Sequence, residues 1–117
     1  MSSPALTDVS IMNEQQYHQT VDTLFLKIEA WLEDSDEMVD FDSQEGILTI
    51  TFEQGDCLIL SRQAALQEVW LASKQGAFHF RLHQEGWVTK HQQTLAQVLA
   101  DCAKDAGLVL DVTKMTI

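Results

Sequence analysis

Between positions 13 and 34 the apolar residues recur every three or four places. Tyr17, Val21, Leu24, Ile28 and Leu32 fall on one helical face, with Phe25 and Trp31 beside it. His18, Asp22, Glu29 and Glu33 recur at the same period on the other side, and Leu26 interrupts that polar stripe. Asn13 with Gln16 three residues later has the form of a capping box. The spacing predicts an amphipathic helix from Asn13 to about Asp34.

Beyond it the period falls to two. Val39 and Phe41 alternate with Asp40 and Asp42, and after a turn at Gly46 the run Ile47 to Phe52 is rich in β-branched residues. Leu48, Ile50 and Phe52 should face a core, and Thr49 and Thr51 the other way. Gln54-Gly55-Asp56 reads as a hairpin turn into Cys57–Ser61. Val69–Ala72, Phe78–His83 and Trp87-Val88 read as further short strands, broken by turns around Gly76 and Gly86. From about Gln92 to Ala106 the helical period returns through Leu95, Val98, Leu99 and Cys102, with Gly107 placed as a C-terminal cap. Leu108, Leu110 and Val112 then suit an extended tail packing back on the core.

The order is helix, six strands, helix. It predicts an α+β fold with two helices packed on one face of a twisted antiparallel β-sheet, leaving the other face open. Residues 1–11 hold the chain's one proline and no periodicity, so they read as a flexible N-terminal lead, with 12–117 forming a single domain.

Charge sharpens this picture. The 117-residue chain has a formal net charge of −11. Residues 1–56 hold 13 acids and a single base, Lys27, whereas residues 57–117 hold 5 acids and 6 bases. Such a chain does not suit nucleic acid or an anionic membrane surface, and it does suit cations or a basic protein groove. No apolar run has the length of a membrane span, and the start resembles neither a signal peptide nor a transit sequence, so the expected location is the cytoplasm. Cys57 and Cys102 have no ligand spacing around them; both are expected to be packing residues in a reducing compartment.

Glu29, Glu33, Asp34, Asp36, Glu37, Asp40 and Asp42 place seven carboxylates within fourteen residues. Two of them, Glu33 and Asp34, sit at the helix end where the macrodipole prefers cations. Crowding of this kind disfavours folding and points to a cation-attracting surface. Asp34 to Glu45 has the outline of a calcium loop, but Val39 stands where the loop requires glycine, and a strand pattern follows where a second helix belongs. Carboxylates on a helix ridge and a strand are hard oxygen ligands for ions such as Fe³⁺, Mn²⁺, Mg²⁺ or Ca²⁺, and on a convex surface they would bind weakly. His18 and, one turn later, Asp22 are candidate further ligands. Catalytic motifs for hydrolysis, nucleotide binding or zinc chemistry are absent. On the open sheet face Thr49, Thr51, Ser61, Gln63 and Trp70 are candidate contact positions. Periodicity alone leaves Trp70 open between a core residue and an exposed anchor.

Several segments carry a resemblance. They are Met12-Asn13-Glu14 with Tyr17-His18, Gly46 through Gly55 (GILTITFEQG), Arg62-Gln63, Val69 through Gly76 (VWLASKQG), Phe78-His79-Phe80 and Trp87. Over Met12 to about Gly107 the chain resembles the frataxin family, and in particular its bacterial branch. The resemblance implies a frataxin-like fold of two helices on a twisted antiparallel sheet. It implies weak Fe²⁺ or Fe³⁺ binding along an acidic ridge matched by Glu29, Glu33, Asp34, Asp36, Asp40 and Asp42. It also implies docking of that ridge, with Glu29, Glu33 and Asp34 in contact, onto the cysteine desulfurase of iron–sulfur cluster assembly.

Thr49, Thr51, Gln63 and Trp70 match the family's exposed sheet surface, where an iron–sulfur scaffold protein is a further expected partner. The implied role is regulation, or iron donation or sensing, by a monomer with iron-dependent oligomerisation left open. No organic cofactor is expected. A ferroxidase or iron-storage activity is the enzymatic alternative, and an acidic adaptor without metal is another. Ferroxidase chemistry usually needs a Glu-x-x-His pattern that this chain lacks.

Overall fold

The computed structural model describes residues 12–35, 39–84 and 86–114. The first helix, α1, spans Glu14–Asp34. Its start is fixed by reciprocal bonds: the Gln16 amide donates to Asn13 Oδ1 at 2.8 Å, and the Asn13 amide donates to Gln16 Oε1 at 3.0 Å. The predicted apolar stripe is buried along its full length, and Leu26 remains 65% exposed on the polar side. The helix ends at Ser35, with no basic residue in its last turn.

Six strands follow: β1 (Val39–Gln44), β2 (Ile47–Phe52), β3 (Cys57–Gln63), β4 (Glu68–Ser73), β5 (Gly76–His83) and β6 (Gly86–Val88). They form one sheet in sequential order, every neighbouring pair antiparallel. Short connections permit this meander, and Gly46 is required at the first of them. Its φ is +80°, and a Cβ there would lie 3.0 Å from Arg62 Nε. Alternation decides the faces. Leu48, Ile50, Phe52, Leu58, Leu60, Val69, Leu71 and Phe80 meet the helices in one continuous core. Val39 and Phe41 pack against its edge.

The second helix, α2, spans Leu95–Asp105, starting later than the expected Gln92. The reason is the exit from β6. Thr89 organises a tight loop in which its amide donates to the Gln93 carbonyl and the Gln92 amide donates back to its carbonyl. Thr94 bridges Val88 and caps the helix through Gln97 N. At the other end Gly107 (φ +87°) closes α2: its amide donates to the Lys104 carbonyl and that of Leu108 to the Ala103 carbonyl. The tail packs back through only part of the expected set: Val112, expected to continue the extended packing, instead begins a 3-10 turn (Val112–Lys114) and is half-buried. Leu108 and Leu110 are buried, and Trp31 Nε1 donates to the Asp111 carbonyl at 3.0 Å. Among the described residues no helix is long and apolar enough to cross a membrane.

Candidate functional site

The acids expected to form a ridge lie along the end of α1 and the edge strand β1. Glu33, Asp34, Asp40 and Asp42 are exposed and Glu29 is half-buried. Asp36 and Glu37 lie outside the described residues, as does the 1–11 lead. Asp40 pairs across the ladder with Thr51, and Asp42 with Thr49. Directly opposed residues share a face, so both β1 carboxylates stand on the open side of the sheet, while α1 covers the other side. Asp40 and Asp42 therefore continue into the Thr49–Thr51 surface, and Glu33 and Asp34 end the helix that leads into β1. A cation near them is Lys114, whose Nζ is 3.9 Å from Asp34 Oδ2 with both side chains mostly exposed. Such a pair contributes little and leaves the ridge strongly negative. Among the described residues no three His, Cys, Asp or Glu side chains converge on a position that could hold a metal ion.

His18 and Asp22 are brought to a different neighbour. Arg62, on β3, donates from Nη2 to Asp22 Oδ1 at 2.8 Å, and its Nη1 lies 3.0 Å from His18 Nδ1. Its guanidinium carbon lies 5.4 Å from the Phe25 ring centre, and its Nε is buried without a hydrogen-bond partner among the described residues. Asp22 and Glu33 are eleven residues apart on one helix, about 16 Å along its axis. The two candidate ligands on the early turns thus serve an interelement tie, separate from the ridge. A second tie lies beside it. Tyr17 Oη donates to the Glu68 carbonyl at 2.5 Å and accepts from the Gln63 amide at 3.0 Å. Burial pushes the Tyr17 phenol up, against the bond from Gln63 and the charge of Arg62.

Register assembles the open face. One row runs Gln44, Ile47, Ser61, Trp70, His79 and the next Asp42, Thr49, Ile59, Ala72, Ala77. Thr51 is exposed, whereas Thr49, Gln63 and Trp70 are half-buried. Trp70 is on this face and outside the core. Its indole stacks on His79 at 4.2 Å between ring centres and 8° between planes, and its Nε1–H donates to Glu68 Oε1 at 2.7 Å. Arg81 Nε donates to the other Glu68 oxygen at 2.8 Å. Burial raises the Glu68 carboxyl, but the bonds from Trp70 and Arg81, with the charges of Arg81 and His79, outweigh it and hold the group below its usual range.

This face is more apolar than the expected contact set. Ile47 is 41% exposed and Ile59 39% exposed, and they flank Thr49 and Ser61 in the register. Cys57 is exposed beside Thr51, which corrects the expectation that it packs inside; Cys102 is buried, and burial pushes its thiol up. The signal was present in the sequence. Leu58 and Leu60 point inward, so Cys57, Ile59 and Ser61 must point outward. An unbroken apolar run from Cys57 to Leu60 obscured the alternation.

Comparison with known proteins covers most of this architecture. The frataxin-like domain family matches residues 10–107. The iron–sulfur cluster assembly protein CyaY of Vibrio campbellii is 35% identical over 102 residues, spanning 86% of this chain and 98% of that one. A solved frataxin from Psychromonas ingrahamii, described within the CyaY protein family, superposes with a TM-score of 0.80 at 30% identity, covering 86% of this chain and 98% of the other. The sequential six-stranded sheet with both helices on one side is thus shared with a known frataxin, and the chain belongs to the frataxin-like family.

Proposed function

We propose that this protein acts in iron–sulfur cluster assembly, as a non-enzymatic regulator that docks its acidic edge onto a basic groove of the cysteine desulfurase. The likeness to the iron–sulfur cluster assembly protein CyaY of Vibrio campbellii supports the process. The observation that supports the docking is the exposure of Glu33 and Asp34 at the end of α1 and of Asp40 and Asp42 on the edge strand it leads into, the last two sharing a face with Thr51 and Thr49. A convex ridge of carboxylates without a converging set attracts cations but encloses none, so iron would be held weakly and with many waters. Over a longer range the same field steers the protein toward a positive partner. Trp70 and the exposed Ile47 and Ile59 provide a contact surface of a different kind, suited to a desolvated patch on the scaffold protein.

The test is association with the desulfurase across ionic strength. Glu29→Lys combined with Glu33→Lys should abolish binding at low salt, while the parent's association rate should fall steeply as salt rises. Normal binding by the reversed protein would remove the ridge as the docking surface.

A further inference from the structure

Strand β5 runs eight residues, Gly76–His83, but β6 pairs with only Arg81, Leu82 and His83. Gly76 to Phe80 therefore has a strand partner on the β4 side alone among the described residues. The hairpin closures fix which backbone groups point outward. Ser73↔Gly76 closes the turn to β4 and His83↔Gly86 the turn to β6. Residues that close two-residue hairpins bond to each other, so the even positions of β5 bond toward β4 and the odd ones away from it. The N–H and C=O groups of Ala77 and His79 thus face the uncovered edge, with no partner among the described residues. Nothing in Gly76-Ala77-Phe78-His79-Phe80 is a lysine, a proline or a bulge, the usual means of protecting such an edge.

The edge forms one wall of a slot of about 790 Å³, and the loop Thr89–Gln93 forms another. Its charge differs from the rest of the molecule. Lys90 is exposed, with no acidic partner among the described residues, and His79, His83 and His91 also line the slot. Arg81 and Glu68 reach it too, already paired with each other. The two sides of the β5 edge differ as well. Ala77, His79 and Arg81 stand on the open face, while Phe78 on the other side is only partly buried against the core.

We propose that the uncovered edge of β5 is a docking site for an extended acidic segment of a partner protein, added to the sheet as a short antiparallel or parallel strand. Four main-chain bonds to Ala77 and His79 would hold the segment. Alternating side chains would meet different surroundings: acids toward His79, Arg81 and Lys90, and apolar groups toward Phe78. Five residues span about 17 Å of strand, which suits a segment of alternating acidic and apolar residues. The site uses none of the acids of α1 and β1, so it stands or falls independently of the ridge.

The test uses the full chain and a fluorescein-labelled Glu-Val-Glu-Val-Glu peptide. Binding is followed by anisotropy, and amide shifts and hydrogen exchange by NMR. The peptide should bind, slow exchange at Ala77 and His79 about tenfold, and lose affinity about tenfold with Lys90→Glu. N-methylating the glutamates and N-methylating the valines should differ: the set whose N–H groups face β5 loses binding because the strand bonds are lost, and the set facing away keeps it. Circular dichroism of Lys90→Glu checks that this exposed substitution leaves the fold intact. Binding that survives both sets of N-methylation, shifts confined to Thr89–Gln93, full displacement by inorganic phosphate, or no binding at all would each overturn the proposal.

Discussion

The indole of Trp70 and the imidazole of His79 are cross-strand partners that lie face to face, 4.2 Å apart, on the side of the sheet away from the helices. Each ring covers a face of the other that water would otherwise reach. His79→Ala should therefore shift Trp70 emission to the red, while the emission of buried Trp31 and Trp87 stays unchanged. The stability lost should be about 0.5–1 kcal/mol, the scale of one aromatic cross-strand pair. Single-tryptophan variants retaining only Trp70 would read the shift. Unchanged emission would mean that the stack does not persist in solution.

Glu68 anchors that pair from the other end, and its carboxyl is held below the ordinary range in the folded state. A depressed folded value gives stability that is fully present above the unfolded pKa and is lost as pH falls through the folded one. The parent should therefore lose stability relative to Glu68→Gln as pH drops from about 5 to 3. Urea unfolding at several pH values measures this, and parallel curves for the two proteins would contradict it.

Arg62 joins α1 to β3, with a side chain only 18% exposed. Arg62→Ala should destabilise by about 2 kcal/mol, through lost packing on Phe25 and two lost bonds. Asp22→Ala should cost less than about 1 kcal/mol, because that carboxylate is 64% exposed and screened. Arg62→Lys should not restore the parent, since an ammonium cannot reach His18 and Asp22 as a fork does. Denaturant midpoints for the three variants would check the order.

The acids at the end of α1 meet an unfavourable dipole and one another. Glu33→Gln with Asp34→Asn should raise stability in low salt by about 1 kcal/mol, a rise of several degrees in Tm. Added salt should raise the parent's Tm and shrink the difference. Thermal scans at two ionic strengths are sufficient, and a fall on neutralisation would show that these acids are paired structurally.

Iron should bind the same surface weakly and without strong preference. Mn²⁺, Co²⁺ and lanthanides should compete, because hard ligands on a convex surface do not select by geometry. In an NMR titration the changes should centre on Glu29, Glu33, Asp34, Asp40 and Asp42. His18 and Asp22, held by Arg62, should respond less. A single tight, iron-exclusive site in calorimetry would defeat this expectation.

Periodicity carried the architecture. The Tyr17–Leu32 stripe and the Asn13 capping box act within α1, and Leu48, Ile50 and Phe52 alternate within β2, so local spacing sufficed to place them. Gly107 closed α2 for the same reason: its cap spans only a few residues. What spacing could not reach was the partner of each outward-facing residue. That Trp70 meets His79, that Asp40 and Asp42 share a face with Thr51 and Thr49, and that Arg62 claims His18 and Asp22 all depend on register and on how α1 lies across the sheet. The late start of α2 had the same origin, because the loop at Thr89 had first to bring the chain back to Val88. The sequence by itself determined the inward-facing stripes of α1 and β2, since burial of apolar area acts on every strand and helix alike, whereas Cys57 and Trp70 were assigned to the open face by register. Tertiary structure alone decided which polar groups meet, because a hydrogen bond or a stacked pair exists only where two distant segments arrive within a few ångströms of each other.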